Sequence, residues 1–328
     1  MKIKLLLAIT ILLCGTTIVS AQTTFPVNDV ADARTGYYAF TNATIVKDGK
    51  TTLDNATMVV KDGKIQAIGK IAAPEDAVVI DCKGRFIYPS FIDMFSDYGI
   101  PVPQRTSGGF NFFGPQQFTS NTKGPVNWNQ AIRSEVNAID LFSVDASKAK
   151  QLRDQGFGTV LTHQKDGIAR GTGPVVLLGD EKENLLILKD KAAAFYSFSK
   201  GTSTQSYPSS IMGSVALLRQ TFIDADWYKK NKPQKEGLNL SLEAWNNSAS
   251  LPQVFESTDK WTDIRADRVG DEFGVQYIIK GGGDEYQRIK EIAATKAPFV
   301  ITLNYPETQN VADPADARFV SLKDMKHW

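Results

Sequence analysis

The sequence predicts an α/β protein: a small β unit, then a longer region in which strands and helices take turns. Residues 37–83 hold four short runs rich in β-branched and aromatic residues, two of them followed by Asp-Gly turns, the pattern of tight hairpins. From residue 85 onward, apolar strand-like runs alternate with helical ones, which argues for parallel strands joined by helical crossovers. That alternation fits either a (β/α)₈ barrel or an open doubly wound sheet. No Gly-x-Gly-x-x-Gly leads from a strand into a helix, so a dinucleotide site has no support.

The 328 residues suffice for one large α/β domain with a small accessory one. Lys and Arg number 37 and Asp and Glu 36, a balance that gives no electrostatic reason to expect nucleic acid or an anionic membrane as partner. Residues 1–21 read as a secretory signal peptide: Lys2 and Lys4, an apolar run from Leu5 to Val19, then Val19-Ser20-Ala21 before Gln22. The apolar run is shorter than the ~20 residues needed to span a bilayer, so no stable membrane span is expected after cleavage. A lipoprotein signal at Cys14 is disfavoured by Leu13. The protein is therefore expected to be exported, to the periplasm or beyond. Only Cys82 remains in the mature chain, where it reads as a buried structural thiol.

In the β unit, residues 22–84, strands are expected over Tyr38–Val46, Asn55–Val60, Ile65–Gly69 and Val78–Asp81. Next come an apolar strand from Phe86 to Phe95, a Gly-, Asn- and Phe-rich loop over 100–125, and a helix from Ala138 to Gln155. Strands follow at Gly156–His163, Gly173–Gly179, Asn184–Leu188, Leu251–Glu256, Val275–Lys280 and Pro298–Leu303. Helices are expected at Ser210–Lys230, Asp259–Phe273 and Asp284–Thr295, with Asp284 as an N-cap after the turn Gly281-Gly282-Gly283.

The stretch Pro89-Ser90-Phe91-Ile92-Asp93-Met94-Phe95-Ser96-Asp97 resembles the first barrel strand of the amidohydrolase family, which reads roughly Pro-Gly-Phe-Ile-Asp-x-His-x-His. The strand order of residues 37–99 and the Lys61-Asp62-Gly63-Lys64-Ile65 turn also look like that family, in its imidazolonepropionase-like branch. The resemblance implies a TIM-like (β/α) barrel over residues 85–328, preceded by a small β-sandwich segment. It implies hydrolysis of C–N bonds other than peptide bonds, with a divalent metal, normally zinc, held at the C-terminal ends of the barrel strands. Two histidines at i, i+2 on one strand face are part of that ligand set.

Phe95 and Asp97 stand at those two histidine positions, and Glu256 and Lys280-Gly281 end the two strands that normally carry later histidines. The chain has two histidines, His163 and His327, so the four-histidine set cannot be assembled. No cofactor is expected in this chain. The alternative is a carboxylate-rich site in which Asp93, Asp97 and Glu256 bind an oxygen-preferring cation; the bland reading of Asp97 is a solvated or capping aspartate. His163 ends the second barrel strand, either as a lone general base or as a histidine hydrogen-bonded in its own loop. Catalysis, if any, would fall to Asp97 and His163. The loop Gly108–Gly114, with Gln116, Gln117 and Phe118, can close over a ligand or pack on a partner.

Residues 85–328 fall short of the ~250 typical of a closed barrel, and the family's final aspartate strand is missing. The chain is therefore expected to be the front part of a longer polypeptide, non-catalytic alone, or a pseudoenzyme. Its partner would be a downstream amidohydrolase domain or a second copy; a small-ligand or partner-binding module is the other alternative.

Overall fold

The computed structural model describes residues 36–104, 116–231 and 237–302. The expected signal segment 1–21, the aromatic loop 108–114, the last expected strand 319–322 and His327 lie outside them. The chain divides into two compact units, Met1–Pro89 and Ser90–Trp328.

In the first unit, β1 (Tyr37–Val46), β2 (Thr52–Lys61), β3 (Lys64–Gly69), β4 (Val78–Asp81) and β5 (Phe86–Ile87) form one sheet of order β3-β2-β1-β4, with β5 also on β1. The β2–β3 hairpin turns at Asp62 and Gly63, both at positive φ (52° and 70°), as a two-residue hairpin requires. β1 pairs antiparallel with β2 but parallel with β4 and β5. Because β5 belongs to this sheet, the break between units comes at Pro89 rather than after residue 84. Ala43, Ile45, Ala56 and Cys82 form its buried core, so Cys82 is the structural thiol its apolar context suggests. The described residues of this unit form a single sheet.

The second unit is built on a seven-stranded sheet. Its strands are β6 (Phe91–Ser96), β7 (Phe157–Thr162), β8 (Ala169–Leu177), β9 (Ile187–Ser197), β10 (Gln253–Glu256), β11 (Tyr277–Lys280) and β12 (Phe299–Val300), side by side in chain order. β6, β7, β9, β10, β11 and β12 run the same way, and β8 runs against β7 and β9. The all-parallel expectation fails there because residues 163–168 and 178–186 are too short to carry a crossover. The expected strand Asn184–Leu188 is instead a helical turn, Glu183–Leu186, that leads into β9. Among the described residues the sheet does not close into a barrel; β6 and β12 are its edges.

Helices α1 (Ala146–Asp154), α2 (Ile211–Asn231), α3 (Leu240–Ser248), α4 (Lys260–Phe273) and α5 (Ile289–Thr295) belong to this unit. The single helix expected over 138–155 is broken into a 3-10 turn, Ala138–Leu141, and α1. The Asp145 carboxylate accepts the Lys148 N–H and starts a new helix inside the run. α4 begins where Asp259 accepts the N–H groups of Trp261 and Thr262, and ends at Gly274 in the left-handed region (φ 68°). Asp284 does not cap its own helix: its carboxylate accepts the Lys260 N–H (2.8 Å) and pairs with Lys260 Nζ (2.7 Å).

The main core joins Ala194, Tyr196, Phe255, Tyr277 and Ile279 from the sheet to Leu217, Leu218, Tyr228, Leu242, Trp245 and Val269 from the helices. Burying each aliphatic side chain of that size contributes roughly 1.5–3 kcal/mol. This core fixes β9, β10 and β11 against α2, α3 and α4, and so fixes where their C-terminal ends point. Among the described residues no helix is long and apolar enough to cross a membrane.

Candidate functional site

The six co-directional strands end along one edge of the sheet, at Ser96, Thr162, Ser197, Glu256, Lys280 and Val300. In α/β folds ligands bind at such C-terminal ends, because loops and the strand-end side chains converge there. β8 starts at this edge, so its first residues, including Arg170, join the same rim.

His163 follows the last residue of β7 and is fully buried. Its ring stacks on Phe195 (centroids 3.7 Å, interplanar 3°) and meets Phe95 edge-on (4.6 Å, 63°). The His163 backbone N–H donates to the Ser96 carbonyl (3.1 Å), but among the described residues neither ring nitrogen has a hydrogen-bond partner. The anticipated loop hydrogen bond to the imidazole is therefore not made. Burial first, then the charges of Arg170 and Lys165, hold the imidazole well below its ordinary range. Gly173 on β8 makes this burial possible: a Cβ there would meet the Thr162 carbonyl and lie 3.2 Å from His163 Cβ.

The acidic candidates are each engaged separately. One Asp93 oxygen accepts the Phe95 N–H (2.9 Å). Asp97, half-exposed, lies between Lys148 Nζ (3.3 Å) and Lys165 Nζ (3.5 Å). Partial burial pushes its carboxyl up, but the two lysines outweigh this and hold it below the usual carboxylate range. Asp97 is thus a half-exposed carboxylate shared by two lysines, and it caps no helix among the described residues. Glu256, at the end of β10, pairs with Arg170 Nη2 at 2.7 Å. Arg170 is 4% exposed, donates from Nε to the Gly167 carbonyl, and leaves Nη1 without an acceptor.

Sequence reasoning missed three residues of this rim: Lys165, Arg170 and Phe195. Lys165 and Lys280 both place their ammonium groups near the Phe95 ring, at 5.1 and 5.6 Å from its centroid. Lys280 was legible as a strand end. Arg170 was not, because β8 was expected to begin only at Gly173. The described part of the aromatic loop is tied down: Gln117 N–H donates to Ser206 Oγ (3.0 Å), and Gln205 Nε2 to the Phe118 carbonyl (2.8 Å).

Zinc of the family type does not fit these residues. Among the described residues no three His, Cys, Asp or Glu side chains gather so as to hold a metal ion. The His163 imidazole is enclosed by aromatic rings, and the carboxylates of Asp97 and Glu256 already face protein cations. What the arrangement offers is a rim of paired charges around an aromatic platform.

No protein-family model matches this chain, and no curated protein does. Among solved structures it is similar to an amidohydrolase from Thermotoga maritima MSB8, at 23% identity over 81% of this chain and 70% of that one, with a TM-score of 0.62. A second amidohydrolase is similar at 14% identity over 81% and 66% of the two chains, TM-score 0.37. A prolidase complexed with N-methylphosphonate-L-proline is similar at 13% over 89% and 72%, TM-score 0.38. The likeness to the Thermotoga protein is one of fold.

Proposed function

We propose that this chain is an exported amidohydrolase-fold protein that does not hydrolyse C–N bonds on its own. It serves as the front part of a longer or two-part hydrolase, or as a non-catalytic relative. In the first case its open sheet would be part of a TIM-like barrel, and residues 22–84 part of a β-sandwich, both completed by further polypeptide. The supporting observation is the pairing at the rim. Asp97 and Glu256, the carboxylates best placed to replace the family's histidines, are taken up by Lys148, Lys165 and Arg170, and His163 is closed off between Phe95 and Phe195. A cation entering here must displace an ammonium or guanidinium group from each carboxylate and leave that group unpaired.

Metal analysis of the purified mature chain, with hydrolysis assays on N-acyl amino acids, hydantoins and dihydropyrimidines, tests this directly. The expected result is less than a tenth of an equivalent of zinc and no turnover. Stoichiometric zinc together with turnover that a chelator abolishes would overturn the proposal. Turnover lost in Asp97→Ala would point instead to the carboxylate-rich metal site.

A further inference from the structure

Cations outnumber carboxylates along the rim. Lys148 and Lys165 share Asp97, and Arg170 takes Glu256. Among the described residues Lys280 has no carboxylate within ion-pair distance; its ammonium group lies 5.6 Å from the centroid of the Phe95 ring, where the Lys165 ammonium also lies, at 5.1 Å. Two like charges drawn to one aromatic ring repel each other, and a ring quadrupole does not neutralise them. Among the described residues Arg170 Nη1 is buried without an acceptor, so the Arg170–Glu256 pair leaves hydrogen-bonding capacity unused. Lys280 is next to Glu256 in the β10–β11 register, so the unpaired ammonium group and the Arg170–Glu256 pair belong to neighbouring strand ends. They sit where the fold brings its ligands.

We infer that this rim binds a small oxyanion, a carboxylate or a phosphate, between the ammonium groups of Lys280 and Lys165 above Phe95. The anion does there by direct pairing what relatives of this fold would do through a metal. Ammonium groups form strong charge-assisted hydrogen bonds to such oxygens, and Arg170, paired with the neighbouring Glu256, adds to the positive charge of the rim. The inference rests on the reading that the rim is not a metal centre.

The test is calorimetric titration of the full mature chain, treated with a chelator, with inorganic phosphate and with succinate as separate arms at constant ionic strength. One arm or both should show saturable binding near one equivalent. Lys280→Gln should weaken it at least tenfold, while Lys230→Gln, which removes an exposed lysine on α2 paired with Asp226, should leave it unchanged. Circular dichroism identical to wild type certifies that both variants fold. Binding by neither probe, or equal binding by Lys280→Gln, overturns the inference. These outcomes are separable from failure of the proposed function, which would show as bound zinc and turnover before any chelator is added.

Discussion

A buried imidazole with two unpartnered nitrogens makes folding sensitive to acid. The unfolded chain protonates His163 near its ordinary pKa of ~6.5, whereas the folded protein resists protonation until well below that. Its contribution to stability therefore falls as pH drops below ~6.5, by up to ~1.4 kcal/mol per pH unit. Phenylalanine matches the stacked ring and carries no titrating group. Urea unfolding at pH 7.5 and 5.5 should show the wild type losing about 1 kcal/mol more than His163→Phe over that interval; equal losses would mean the ring is not shielded. Asp263 on α4 behaves oppositely. Among the described residues neither carboxylate oxygen has a hydrogen-bond partner, and the neighbouring Ser257 hydroxyl donates to the Asp259 carbonyl. Burial, and then the charges of Glu285, Asp284 and Asp259, push Asp263 up to about 6. Stability from this group is full below its unfolded value of 3.8 and is lost as pH rises through about 6. Asp263→Asn should therefore raise stability at pH 7.5 by on the order of 1–2 kcal/mol, screening by solvent considered, and by little at pH 4.5. A gain of equal size at both pH values in thermal unfolding would show that charge burial is not the cause.

At the scale of elements, legibility followed the local signals. The hairpin at Asp62-Gly63, α2 and α4 were readable because turn chemistry, a long apolar stripe and a capping aspartate are each written into consecutive residues. β8 and β9 were readable only in part. Ala192-Ala193-Ala194 carries weak β-propensity, yet these residues are buried in β9, where packing on both faces decides the conformation. The antiparallel turn of β8 depends on loop length rather than on composition, and the alternation of strands and helices conceals it. α3 went unanticipated, although Asn239 accepts the Leu242 N–H as an N-cap and Leu242 and Trp245 share a buried face. For the rim, the strand-end positions of Asp97, His163, Glu256 and Lys280 were legible. Their partners were not, since Arg170 meets Glu256 only through the β8–β9–β10 order, which no local pattern encodes.

At the scale of the molecule, each unit leaves apolar strand surface uncovered. In the first unit β4 exposes Val78 (58%) and Val79 (56%) on successive, opposite-facing positions, so neither face of that strand is buried. In the second unit the edge strand β6 exposes Phe91 and Ile92, and Ile301 beyond β12 at the other edge is 78% exposed. Open, apolar sheet edges recruit further strands, and a closed barrel removes them. This chain covers 70% of the Thermotoga structure. If those edges await other strands, the isolated chain should bind a hydrophobic dye strongly and sediment as concentration-dependent oligomers at micromolar levels. Ile92→Lys should reduce that association several-fold without changing the circular dichroism, because the side chain already faces solvent and only pairing is lost. Co-expression with a polypeptide bearing the remaining strands should abolish dye binding for the wild type and fail to do so for Ile92→Lys. A wild-type chain that is monomeric at all concentrations and does not bind the dye would mean that its own residues cover these edges, and the two-part reading of its function would then give way to the non-catalytic relative.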